Sequence, residues 1–323
     1  MRYQRQALRG LATLHRQRIR LLRAASSSCL LFMPALLIAS CNLPMTWIFP
    51  FTLTAAYSMM IVLLAGRLGR VSLLGLPGMQ LLGQFSHAAP WLMPPLPAGM
   101  LLLMGLSARH GLHKGLQFWV FALLLNNMMP PLAMPAWQHG WLTLSGALYG
   151  WLIARHGLQG WPRVLPGASM PDTRRYAWHL VLWGCLGWLA ATHLHLPHTW
   201  WLPVLVVGII DPSPKRMMWL VKERVYGTLH GGLLATLLGW WQPLPAIHML
   251  ILCLTLSWAL MCMQRSFRGF IACLTLLVLS AMPVAQVEHG AVERIADTVL
   301  VGVLLLSLAW WLETGIKTAR DTP

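Results

Sequence analysis

Charge is what this chain has least of. Charged residues make up 10% of its 323 residues, against roughly 25% in a soluble domain. So little charge cannot cover a water-facing surface, so the surface is expected to face lipid. Catalytic signatures are missing too. There is no Walker A loop, no HExxH and no GxSxG, so bound ATP is not the energy source and no familiar hydrolase centre is encoded. No His stands five residues before an Asp, which removes the simplest acyltransferase pattern. There is no CxxC either. Cys29, Cys41, Cys185, Cys253, Cys262 and Cys273 all lie in or beside apolar runs. They read as small core residues, not as a disulfide framework or a metal site. No cofactor is implied, and the chain does not read as an enzyme.

What is present is apolar length. Hydrophobic residues make up 57% of the chain. A span needs about 20 mostly apolar residues, and roughly twelve segments are candidates, several of them short. In the first half these are Cys29–Cys41, Trp47–Gly66, Val71–Phe85, Leu92–Ala108, Leu116–Met129 and Trp141–Ala154. In the second they are Trp178–Ala191, Trp200–Ile210, Val225–Trp241, Leu244–Met263, Phe270–Met282 and Ile295–Leu312.

The net charge of +16 does not point to nucleic acid, because the basic residues are scattered between apolar spans. Arginine crowds the stretch before the first span. Arg67 and Arg70 follow the second span, and Arg109 and Lys114 the fourth. Arg155, Arg163, Arg174 and Arg175 follow the sixth. Lys215, Arg216, Lys222 and Arg224 follow the eighth, Arg265 and Arg268 the tenth, Lys317 and Arg320 the last. The odd-numbered connections hold only Arg294, at the edge of the last span. This alternation is the positive-inside pattern of a protein with both termini in the cytoplasm. The N-terminal stretch ends in Ile38-Ala39-Ser40-Cys41, like a lipoprotein signal. Its basic region is too long for one, and a cytoplasmic arm lying on anionic lipid is expected instead.

The chain also repeats itself. Leu43-Pro44-Met45-Thr46-Trp47-Ile48-Phe49-Pro50 matches Leu196-Pro197-His198-Thr199-Trp200-Trp201-Leu202-Pro203. Arg70-Val71 then corresponds to Arg224-Val225, and Gly146 to Gly302. Six spans per half is an even number, so the halves should share one orientation. The expected fold is an all-α membrane protein of about twelve transmembrane helices in two parallel six-helix repeats. The divisions are a basic arm (1–24), a first repeat (25–155), a linker (156–175), a second repeat (176–313) and a tail (314–323).

Candidate functional residues concentrate in the second half. Gly227 and Gly231, with Gly232 beside them, make a small face on the ninth span, which helix packing alone would explain. His230 lies inside that span, and an intramembrane ionisable group is a functional candidate unless it merely packs as a neutral ring. Arg294 and Asp297 can pair at i, i+3 on the last span, with Thr298 and Gly302 following. At the repeat spacing the first half has Gln138 and Trp141 there. Arg224 and Arg294 are expected near opposite membrane faces, as two ends of an anion path, with His230 and Asp297 further in. His193, His195 and His198 have no acid or cysteine beside them, so no metal site is expected.

Trp200-Trp201-x-Pro203, Pro212, Arg224-x-x-Gly227-Thr228-x-x-Gly231 and Arg294-x-x-Asp297-Thr298-x-x-x-Gly302 together resemble the fusaric-acid-resistance (FUSC-like) integral membrane transporters, relatives of bacterial aromatic acid exporters. The resemblance covers roughly residues 176–313. It implies a bacterial inner-membrane protein that exports small, often aromatic, organic acids beside a periplasmic membrane-fusion partner. Arg224, Thr228, His230, Arg294, Asp297 and Thr298 would then bind the anion or couple protons. Many members carry a large cytoplasmic domain, whereas this chain has a short linker, and its first half keeps only Arg70 of the Arg-x-x-Gly-Thr pattern. A membrane scaffold that transports nothing but assists an envelope system is the alternative. A homo-oligomer stays open.

Overall fold

The computed structural model describes residues 17–34, 45–65, 70–128, 134–158, 170–193, 200–211, 213–241, 245–263, 265–280 and 284–321. Among them every regular element is helical. Helix α1 covers 17–34. The rest of the first half is α2 (Met45–Ala65), α3 (Ser72–Ala88), α4 (Pro95–Leu106), α5 (His113–Met128) and α6 (Ala136–Gly157). The second half is α7 (Met170–His193), α8 (Trp201–Ile209), α9 (Pro214–Trp241), α10 (Pro245–Cys262), α11 (Phe267–Ser280) and α12 (Val284–Asp321).

These helices fall where the apolar runs lie, but their ends differ. Helix α1 begins inside the basic arm, and 35–44 lie outside the described residues. Helix α9 starts well before Val225, because Pro214 suits a first helical turn and Lys215, Arg216, Lys222 and Glu223 are good helix formers. Helix α12 likewise runs on through Asp321. Between α4 and α5 a 3₁₀ turn, Ser107–His110, ends at Gly111 with φ 71°. Only glycine adopts that left-handed conformation freely, and the turn delivers His113 and Lys114 to the start of α5.

Contacts between helices fix their relative directions. Phe51 and Ala55 of α2 meet Gly146 and Gly150 of α6 in rising order, so these helices are parallel. Gly227 and Gly231 of α9 meet Ile271 and Thr275 of α11 in the same sense. Val221 and Val225 of α9 pack on Gly302 of α12, whereas Gly232 packs on Ile295, so α9 and α12 are antiparallel. Helix α4 is antiparallel to α7, with Gly105 against Ala177 and Leu101 against Gly184. Each direction is the one a chain crossing back and forth would give.

Four pairings of the first half recur in the second. Helix α2 packs on α6, α3 on α5 and α6, and α4 on α5. Helix α8 packs on α12, α9 on α11 and α12, and α10 on α11. Several contacts join the halves. Helix α4 packs on α7, and α5 on α8. Leu256, Leu260 and Met261 of α10, with Met263 just past its end, close the core around Ala24, Leu31, Met59 and Leu63.

Burial runs against the usual soluble pattern. Gln80, Asn126, Asn127, His139, Arg224 and Arg294 are buried. Trp137, Trp178, Trp240, Trp241, Trp258, Leu74, Leu250 and Leu254 are exposed. Exposed large apolar side chains around buried polar and charged ones are what a lipid-facing surface would carry. Among the described residues, one stretch, Pro90–His110, is long and apolar enough by itself to cross a membrane. Pro50–Leu64, Ile247–Cys262 and Phe267–Ser280 are apolar but shorter.

Candidate functional site

The site begins with the phase of α9. Met217, Leu220, Val221, Arg224, Gly227, Thr228, Gly231 and Ala235 are all buried, the three-and-four spacing of one helix face. This face packs on α11 and α12. Arg224 therefore cannot reach outward, and 6% of it is exposed. Its guanidinium lies against Gly208 of α8, where any side chain would collide with Nη1. Next to this, Gln117 Nε2 of α5 donates to the Val207 carbonyl at 3.3 Å and ties the first half to the second.

Helix α12 presents Ala291, Arg294, Thr298, Val301 and Leu305 inward at the same spacing. Arg294 is 5% exposed. Its Cζ sits 4.8 Å from the ring centroid of Trp201, a cation–π contact. Trp201 is held edge-on by Trp200, with centroids 5.6 Å apart. The Thr298 hydroxyl donates to the Arg294 carbonyl at 2.7 Å and so satisfies itself within its own helix. Asp297, half-buried, and Tyr57 of α2 both lie within electrostatic reach of Arg294.

Arg224 and Arg294 lie within electrostatic reach of each other. This corrects the expectation of opposite ends. The antiparallel register that sets Gly302 against Val221 and Val225 leaves the two arginines offset by roughly 12 Å of helix. Arg224 Nε and Arg294 Nε and Nη1 have no hydrogen-bond partner. A buried donor without a partner carries a desolvation cost of roughly 1–3 kcal/mol, more when charged. An acceptor with two oxygens, such as a carboxylate, would relieve it.

The structure thus sets Arg224 within electrostatic reach of Arg294, and Arg294 within reach of Asp297, while Thr228 is buried on the face of α9 that carries Arg224 and Thr298 on the face of α12 that carries Arg294. His230 lies elsewhere. It is exposed, and its Nδ1 is 2.6 Å from the Tyr226 carbonyl. The glycines serve close packing: Gly227 approaches the Arg268 carbonyl and Ile271, Gly231 approaches Ala272, Gly232 approaches Ile295 and Gly302 approaches Val221. Among the described residues no group of three or more metal-ligating side chains forms; His195 and His198 lie outside them.

Gly208, Tyr57 and Gln117 were not singled out by sequence reasoning. Trp201 entered there only within motifs, and the repeated one has Ile48 in its place in the first half. Replacing Tyr57 by Phe should keep its packing on Phe118, whose ring lies 5.5 Å away. Thermal stability should stay within about 1 kcal/mol of wild type, the net share of one hydrogen bond. A melting curve reads it.

Residues 186–310 match the fusaric acid resistance protein-like family. This FUSC-like segment contains Trp201, Gly208, Arg224, Arg294 and Asp297. The resemblance read from the motifs is thereby shown for the second half. No curated protein and no solved structure matches the chain. The first-half contributions to the site, Tyr57 and Gln117, lie outside the FUSC-like segment.

Proposed function

We propose that the protein is a bacterial inner-membrane exporter of small, chiefly aromatic, organic acids. The observation that carries this reading is the buried pair Arg224 and Arg294, with unpartnered N–H groups where the two halves meet. Two buried cations, each with at least one N–H group lacking an acceptor, suit an anion better than they suit a purely structural role. Trp201 adds an aromatic face beside the second cation. The chain would cross the membrane about twelve times with both termini cytoplasmic, as two repeats in one orientation. The alternating helix directions, the shared pairings and the basic even connections support that arrangement. Spans shorter than usual would be met by tilt and local bilayer thinning. Asp297 is the candidate for coupling the substrate to protons, and a membrane-fusion protein is the candidate periplasmic partner.

Two measurements test this. Reporter fusions at His198 and Gln242 should give the exterior signal and one at Gly167 the interior signal; a cytoplasmic signal at both exterior sites would end the twelve-span arrangement. Vesicles holding purified protein should take up labelled benzoate, and protein-free vesicles should not. Uptake equal in the two would reject the transport reading.

A further inference from the structure

The first half brings a cation of its own to the path. Lys114, in the first turn of α5, is half-buried and lies within electrostatic reach of Asp211, Arg216 and Arg224 of the second half. Asp211 ends the stretch after α8. Its Oδ2 is 3.4 Å from Arg216 Nε, and its Oδ1 accepts from the Ser213 amide at 3.1 Å. The Asp211 side chain is nearly enclosed, whereas that of Arg216 is half exposed. Beside Lys114, His113 meets Tyr176 of α7 edge-on, with centroids 5.8 Å apart. His113 Nδ1 and Tyr176 Oη are buried and without hydrogen-bond partners. Burial, aided by the charges of Lys114 and Arg216, pushes the His113 imidazole down to about 4. At neutral pH it is a neutral ring that can donate one hydrogen bond.

These groups form a series. Arg216 is exposed, Lys114 half-buried, and Arg224 and Arg294 buried. Each cation is deeper than the last, and Asp211 sits at the first two. We propose that Lys114, Arg216, His113 and Tyr176 form a cytoplasmic loading subsite for a small organic carboxylate, and that Asp211 is the internal counter-ion the substrate displaces. This rests on the transport reading above. The Asp211 carboxylate has the same chemistry as the substrate's, so the two compete for the same cations. With Asp211 in place, one of the two positive charges on Lys114 and Arg216 is balanced between cycles. When a carboxylate arrives, Lys114 and Arg216 exchange one acceptor for the other, and Arg224 lies next along the series. The subsite spans α5, α7 and α9, so it exists only where the two halves meet.

The test uses full-length protein in vesicles, with labelled benzoate offered at the cytoplasmic face. Lys114→Gln should raise the half-saturating benzoate concentration about tenfold, the share of one charge-assisted hydrogen bond. Asp211→Asn should lower it by a similar factor, because the amide still accepts from Ser213 but no longer competes as an anion. The double variant should return close to wild type. Melting curves with and without benzoate report whether each variant is folded and binds. Both single variants unchanged, with benzoate still transported by wild type, would overturn the subsite and leave the transport reading standing. Both shifted in the same direction would overturn the role of Asp211. Wild-type protein that neither binds nor moves benzoate would overturn both readings.

Discussion

Arg294→Gln should leave the protein folded and cut carboxylate transport by roughly 10- to 100-fold, the loss expected when a charged donor to the substrate is removed. The guanidinium is buried, stacks on Trp201 and has unpartnered Nε and Nη1. Taking a poorly partnered charge out of a low-dielectric interior relieves a desolvation cost. Melting temperature should therefore hold or rise while transport collapses. Arg224→Gln should behave the same way, and its amide fits the space beside Gly208. Arg294→Lys separates charge from shape: it keeps the cation but loses the planar stack and the two-pronged donor, so it should recover only part of the activity. If Arg294→Gln melts at lower temperature in proportion to its lost transport, the arginine is structural and the anion path fails.

The second large effect is on assembly. A side chain at Gly150 would run into the Ala55 carbonyl, and one at Gly231 into the Ala272 carbonyl. These obstacles are backbone, which cannot rotate away. Gly150→Val or Gly231→Val must therefore push α2 from α6, or α9 from α11. Overpacking of this kind costs about 1–3 kcal/mol and often more, and here it acts on the closest pairings of each half. Yield of folded, monodisperse protein should fall severely. Gly78 and Gly99 are the controls, since nothing lies within 4 Å of a methyl group at either. Alanine there should match or slightly exceed wild-type stability, because glycine in a helix costs about 1 kcal/mol relative to alanine. Equal losses at all four positions would mean that these close approaches are not what holds the helices together.

Much of this was legible in the sequence. Apolar runs marked where helices lie, because each must bury or shield its backbone over a similar length. Their ends were not legible at α9 and α12, where charged helix formers extend the helix beyond the apolar run. Arg224 and Arg294 were legible because a charge within an apolar run is costly and rarely accidental. His230 misled for a geometric reason. It stands six residues after Arg224, about 120° away around the helix, so the phase that buries Arg224 turns His230 outward. Phase is read from the full set of buried positions, and α9 is apolar on nearly all sides. Tyr57, Gln117 and Lys114 could not be found, since what recruits them is contact between elements far apart in the chain. The first half looked chemically bare by its motifs, yet it supplies one wall of the site.

The way polar groups are satisfied bears on which ions can pass. Thr54, Thr143, Thr236, Thr298 and Ser257 each donate their hydroxyl to a carbonyl one turn back in their own helix. Their hydroxyl hydrogens are committed within the helix, so these side chains offer a passing anion no donor. Elsewhere in the interior the unpartnered atoms are mixed: Trp119 Nε1 and Trp183 Nε1 can only donate, whereas Gln80 Oε1 can only accept. Beside Arg224 Nε and Arg294 Nε and Nη1 the balance is one-sided. There a dehydrated potassium or sodium ion would meet two like charges, and an anion would meet opposite charge and hydrogen-bond donors. Selection by the sign of the charge then falls to the two guanidiniums and not to the hydroxyls along the helices.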